Sequence, residues 1–143
     1  MVSYATIADF VTAFGDDETI MLSNLDDPNS VVMDTVVIQR RLDDATAEID
    51  TYLQAAGYSL PLVSTPVVLR NRCCDIARYN LDRIRMREDV QQRYKESIAY
   101  LKDLVRGIAD LGLAQNNQPL AVPDAPQWYS GDRVFTVDSL RGY

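Results

Sequence analysis

The side chains in this 143-residue chain that could do chemistry are few. They are three pairs of neighbouring carboxylates (Asp16-Asp17, Asp26-Asp27, Asp43-Asp44), the adjacent Cys73 and Cys74, and a dense run of arginines between Arg70 and Arg93. Each falls short of a catalytic pattern. Neighbouring residues on a helix point about 100° apart, so neither a carboxylate pair nor Cys73-Cys74 converges on one metal ion, and the cysteines lack the CxxC spacing of a redox or zinc site. There is no histidine, which removes the commonest general base and the Ser/His/Asp and Cys/His arrangements. No glycine-rich phosphate loop occurs. The reading is no enzyme, no cofactor and no metal, with the carboxylate pairs acting as helix caps and solvated faces; a carboxylate-dependent hydrolase is the enzymatic alternative. One cysteine is expected in the core and the other on its flank.

The arginines Arg70, Arg72, Arg78, Arg83, Arg85, Arg87 and Arg93 could contact nucleic acid, but a net charge of −7 and a pI near 4.4 oppose phosphate binding. Charge is uneven along the chain. Residues 1 to 60 hold eleven acids and two bases, whereas residues 61 to 110 hold ten bases and seven acids. Such a subunit can set its acidic part against a neighbour's basic part in a head-to-tail contact. Arg78 and Arg85 are candidate basic contacts and Asp43 and Asp44 candidate acidic ones. Arg78 has an intramolecular alternative, because Asp75 and Asp82 lie one helical turn away.

Positioning these groups falls to a pattern of about five helices. Thr6 and Asp9 form a capping box before an apolar face of Ile7, Phe10, Val11 and Phe14, and Gly15 stops the helix. A short helix follows, capped by Asp16 or Asp17 and burying Ile20, Met21 and Leu22. The Asn24 to Ser30 stretch is a turn-rich loop. Asp34 or Thr35 opens a long helix in which Ile38, Leu42, Ala45, Ile49, Tyr52 and Leu53 recur at steps of three and four until Gly57. An extended link, Tyr58 to Leu62, leads to Thr65 as cap and Pro66 as first residue of a helix carrying Leu69, Cys73, Ile76, Ala77, Asn80, Leu81 and Ile84. A last helix starts near Glu88 and Asp89 and carries Val90, Tyr94, Ile98, Leu101, Leu104 and Val105, folding back on its predecessor. The predicted core is Phe10, Phe14, Leu42, Ile49, Leu53, Leu69, Cys73, Ile76, Ile98, Leu101 and Leu104.

With 47% hydrophobic residues, one domain with appendages is expected, beginning at its own methionine with no leader and no membrane span. The fold class is all-α: a helical body over residues 1–110 and an extended C-terminal arm over 111–143. Residues 112 to 127 are rich in Asn, Gln and Pro and read as a linker. Two β-prone runs then flank Ser130-Gly131-Asp132, the pattern of a short β-hairpin over 127 to 138. The arm holds Trp128, Tyr129, Phe135, Leu140 and Tyr143, which is too apolar for a solvated tail. Those five are candidate docking anchors; the alternative is that the tail folds back on its own helices.

Several of these segments, in order, resemble the Mu-like bacteriophage head-to-tail connector (adaptor) family. The run Tyr4-Ala5-Thr6-Ile7-Ala8-Asp9-Phe10 through Phe14-Gly15 is similar to the family's opening. Ala45-Thr46-Ala47-Glu48-Ile49-Asp50-Thr51-Tyr52-Leu53, Tyr58-Ser59-Leu60-Pro61-Leu62, Cys74-Asp75-Ile76-Ala77-Arg78-Tyr79-Asn80-Leu81, Arg93-Tyr94 and Ala99-Tyr100-Leu101 resemble its later motifs. Residues 112 to 127 match no pattern of the family. The resemblance implies a structural virion protein, assembled in the host cytoplasm and located at the head-tail interface. It implies a homo-oligomeric ring, dodecameric, that docks on the portal protein, joins tail or neck proteins and lines part of the DNA channel without binding the passing DNA specifically or any membrane. The alternatives are a tail-completion or tail-terminator protein and a DNA-binding packaging factor.

Overall fold

The computed structural model describes residues 2–82 and 86–113, and in them the chain is helical throughout its regular structure. The elements are α1 (Ile7–Phe14), α2 (Asp16–Ser23), α3 (Thr35–Ala55), α4 (Val67–Leu81) and α5 (Glu88–Val105). No strand occurs among the described residues. The hairpin expected over 127 to 138 and the arm anchors Trp128, Tyr129, Phe135, Leu140 and Tyr143 lie outside the described residues, as do Ile84 and Arg85.

Local chemistry accounts for most helix ends. At α1 the Thr6 hydroxyl accepts from the Asp9 amide while the Asp9 carboxylate accepts from the Thr6 amide at 2.8 Å, a reciprocal cap. Gly15, at φ 89°, takes the chain out of α1 and directly into α2, a conformation only glycine adopts without strain. Asp34 caps α3, its carboxylate accepting from the amides of Val36 and Val37. Two expected caps are corrected. Neither Asp16 nor Asp17 caps α2: Gly15 occupies that position, and the acids fall in the first turn, where they face the positive end of the helix dipole. Pro66, not Thr65, is the N-cap of α4, so that helix begins without a side-chain cap.

α3, α4 and α5 pack around one core. Tyr79 stacks on Tyr94 with ring centroids 3.9 Å apart, Asp75 faces Arg93 at 3.7 Å, and Arg72 lies 5.4 Å over the Tyr100 ring. The early part of α5 (Arg93, Tyr94) meets the later part of α4 (Asp75, Tyr79) and Tyr100 meets Arg72, so the two helices are antiparallel, the expected fold-back. Of the predicted core, Phe14 and Ile98 are half-buried and all the others are buried. α1 and α2 lie across this core. Phe10 is fully buried, and the amide of Tyr4 donates to the Thr46 hydroxyl on α3 at 3.1 Å.

Three burial expectations are overturned. Both Cys73 and Cys74 are buried, because α4 is covered on more than one side. In α2 the inward residues are Thr19, Leu22 and Ser23, while Met21 is exposed. Thr19 and Ser23 tolerate burial by donating to the carbonyls of Gly15 and Ile20 at 2.6 and 3.0 Å. Val105, expected on the apolar side of α5, is 40% exposed.

Candidate interaction surface

α4 sets the arrangement of charge. Its Arg78 side chain is 4% exposed, ion-paired to Glu18 of α2 and, at 3.4 Å, to Asp82 at the end of its own helix. The guanidinium carbon lies 5.9 Å from the Phe14 ring centroid of α1. Arg87, at the start of α5, adds a second contact to Glu18 at 3.7 Å. Arg78, a candidate for contact with a neighbouring subunit, is buried in this network, with Asp82 as one partner, the intramolecular alternative, and Glu18, which no sequence spacing indicated, as the other. Arg85, the other basic candidate, lies outside the described residues.

The acidic candidates sit on α3. Asp43 is half-buried and accepts from the Ser3 hydroxyl and, at 3.0 Å, from Gln39. These hydrogen bonds hold its carboxyl below the usual carboxylate range. Asp44 is exposed and pairs with Arg41 at 3.2 Å. Asp43 thus fastens the N-terminal segment to α3, and Asp44 is the more available of the two.

Beyond Arg78, two hollows run side by side between α1 and the α4–α5 pair, sharing Ala13, Asp75 and Arg93. The smaller, about 180 Å³, is bordered by Glu18, Arg78 and Arg87. The larger, about 480 Å³, is bordered by Asp9, Thr12, Val68, Arg70, Arg72 and Cys74. Asp75 lies between them, 3.9 Å from Arg72 and 3.7 Å from Arg93. Burial raises its pKa, with the two arginines opposing the shift. Cys74, at the edge of the larger hollow, is pushed up to about 12 by burial and by neighbouring negative charge, so its thiol is not a nucleophile at neutral pH.

The side chains around this groove therefore offer fixed positive charge and hydrogen-bond donors. Arg70 and Arg93 are 43% and 59% exposed, and among the described residues each has only a long ion pair, to Asp9 at 3.9 Å and to Asp75 at 3.7 Å. The buried Nε of Arg72 has no hydrogen-bond partner among the described residues. The sequence marked these arginines only as a dense run; that Arg70, Arg72 and Arg93 share one groove depends on the antiparallel packing of α5 on α4. Among the described residues no group of three or more His, Cys, Asp or Glu side chains could hold a metal ion, and no helix is long and apolar enough to cross a membrane.

Comparison with known proteins adds a lineage to this geometry. The chain is 31% identical over 116 residues to the Mu-like prophage FluMu protein gp36 of Haemophilus influenzae, an alignment covering 81% of this chain and 82% of that one. It is 34% identical over 80 residues to Gene product J of Escherichia phage Mu, covering 56% of each. The family described as Bacteriophage Mu, Gp36 matches residues 4–129, including the 112 to 127 stretch in which no family pattern was expected. Nearly the whole chain is thus spanned, the helical body included, and the protein belongs to the bacteriophage Mu Gp36 family.

Proposed function

We propose that this protein is a structural component of a tailed phage particle, the head-to-tail connector: a homo-oligomeric ring that docks on the portal, joins the head to the tail or neck and forms part of the DNA channel. Membership of a Mu phage family supports a structural or morphogenetic role. The observation that carries the finer reading is a small helical body with its charge divided between an acidic N-terminal half and an arginine-bordered groove, the asymmetry a head-to-tail ring contact uses. A net charge of −7 suits a channel through which DNA passes without sticking.

The aromatic-rich residues Trp128, Tyr129, Phe135, Leu140 and Tyr143 serve in this reading as anchors on the portal or an adjacent subunit. A chain lacking residues 128–143 then keeps its helical circular dichroism and melting temperature but no longer joins heads. A loss of several kcal/mol on truncation, comparable to removing two or three buried aromatics, would place those residues in the protein's own core and end the docking assignment.

The test of the function is electron microscopy of lysates from a phage lacking the protein. Filled heads and separate tails of normal length are the expected products. Joined particles would refute the connector role, and tails of abnormal length would assign the protein to tail completion or termination instead.

A further inference from the structure

The chain carries both an arginine-bordered groove and, elsewhere, an exposed acidic turn. The turn between α2 and α3 holds Asp26, Asp27, Pro28 and Asn29, all exposed. Neither Asp26 nor Asp27 has an ion pair among the described residues. The turn is held in shape: the Asp27 amide donates to the Asn24 carbonyl at 3.0 Å, the Ser30 amide to the Asp27 carbonyl at 3.0 Å, and the Asn24 side chain to the Val32 carbonyl at 2.7 Å. Val31 and Val32, just after it, are 83% and 71% exposed. The large hollow offers the complement: Arg70 and Arg93 are held by long ion pairs to Asp9 and Asp75, the Arg72 Nε has no hydrogen-bond partner among the described residues, and Val68 on its lining and the adjacent Val67 are exposed.

We propose that the Asp26–Asn29 turn of one copy seats in the α1/α4/α5 groove of the next, its carboxylates on Arg70 and Arg93 and Val31 and Val32 against Val67 and Val68. The two halves of the contact occupy different places on the subunit. α2, which leads into the turn, is tied to Arg78, and the groove centres on Arg70 and Arg72, six to eight residues earlier on α4 and so roughly 9–12 Å back along it. Repeated head to tail, a contact between two different surfaces builds a ring or a filament. The inference rests on the ring reading above and replaces the buried Arg78 as the basic side of the subunit contact.

The experiment is sedimentation velocity of the full-length protein over a concentration series at low salt, where charges up to about 10 Å or more apart still interact. Two variants are compared with the wild type: Asp26→Lys/Asp27→Lys, which reverses the turn, and Arg70→Glu/Asn71→Glu, which reverses the groove while leaving the Asp75 pairs in place. The altered positions are exposed or half-exposed, so melting temperatures should match the wild type. Each variant should need at least tenfold higher concentration to associate, and the fourfold variant with both reversals should return to within about threefold of the wild type. Association indifferent to either reversal would overturn the inference and leave the ring standing on another surface. A groove-only effect would also overturn it, because the occupant would then not be this turn. A wild type that stays monomeric at every concentration would remove the inference, while the connector role would still be judged by the heads and tails of the deletion phage.

Discussion

Removing the Arg78 guanidinium should cost the body about 3–4 kcal/mol. The side chain is 4% exposed and is the only cation within ion-pairing distance of Asp82, itself 9% exposed, among the described residues. Arg78→Ala leaves the Asp82 carboxylate without its partner and deprives Glu18 of the nearer of its two arginines. Breaking a buried pair by deleting one member costs roughly 3–5 kcal/mol. The lower part of that range applies because Arg87 still faces Glu18 at 3.7 Å and Glu18 is 23% exposed. Loss of contact with the Phe14 ring adds about 0.5–1 kcal/mol within that total. Against a total stability of about 5–15 kcal/mol the variant remains folded but melts lower, by about 4 °C for each kcal/mol in a body of this size. Urea and thermal unfolding followed by circular dichroism measure the loss. A double-mutant cycle with Glu18→Ala separates the pair from the rest, and a coupling of about 1.5–3 kcal/mol is expected for a charge-assisted hydrogen bond. A total loss under 1 kcal/mol with coupling near zero would refute the reasoning and return Arg78 to the list of surface charges.

Three further outcomes follow from the core and its titrating groups. Ile76→Asp exchanges a fully buried aliphatic, worth about 1.5–3 kcal/mol, for an unpaired charge costing several more, so the isolated chain should unfold; a soluble, cooperatively melting variant would show that α4 is registered differently. Ser97 is fully buried with no hydrogen-bond partner for its hydroxyl among the described residues, so Ser97→Ala should be neutral or stabilising by up to about 1 kcal/mol in urea titration, and a loss above that would reveal a partner. Asp75 and Asp43 should give pH dependences of opposite sign. The Asp75 pKa is raised on folding, so its contribution grows more favourable as pH falls through the folded value toward the ordinary carboxylate range near 4; the Asp43 pKa is lowered, so its contribution is complete above that range and lost as pH falls through the folded value. Melting Asp75→Asn and Asp43→Asn beside the wild type from pH 6 to 3.5 checks this, and differences that change in the same direction would refute it.

What the sequence determined by itself was what depends on neighbours a few residues away. The Thr6 and Asp9 cap, Gly15 at positive φ, the Asp34 cap and the three-and-four spacing of Ile38 to Leu53 act within one or two helical turns, so reading them in order is enough to place the helices and most of the core. The family motifs along residues 4 to 101 were legible for the same reason, as strings of neighbours. The charged groups were not. Ile76 and Arg78 are two positions apart, about 200° around the helix, and both are buried because α4 is covered on one side by the core and on the other by α1 and α2. A single amphipathic stripe cannot signal this, and Arg78 therefore read as surface charge and Cys74 as a flank. Glu18 meets Arg78 across sixty residues, and Arg93 joins Arg70 and Arg72 only because α5 turns back along α4. Long-range contact between groups of similar local chemistry leaves no periodicity in the chain, so the packing of the helices alone decided which arginine is internal and which three border a groove.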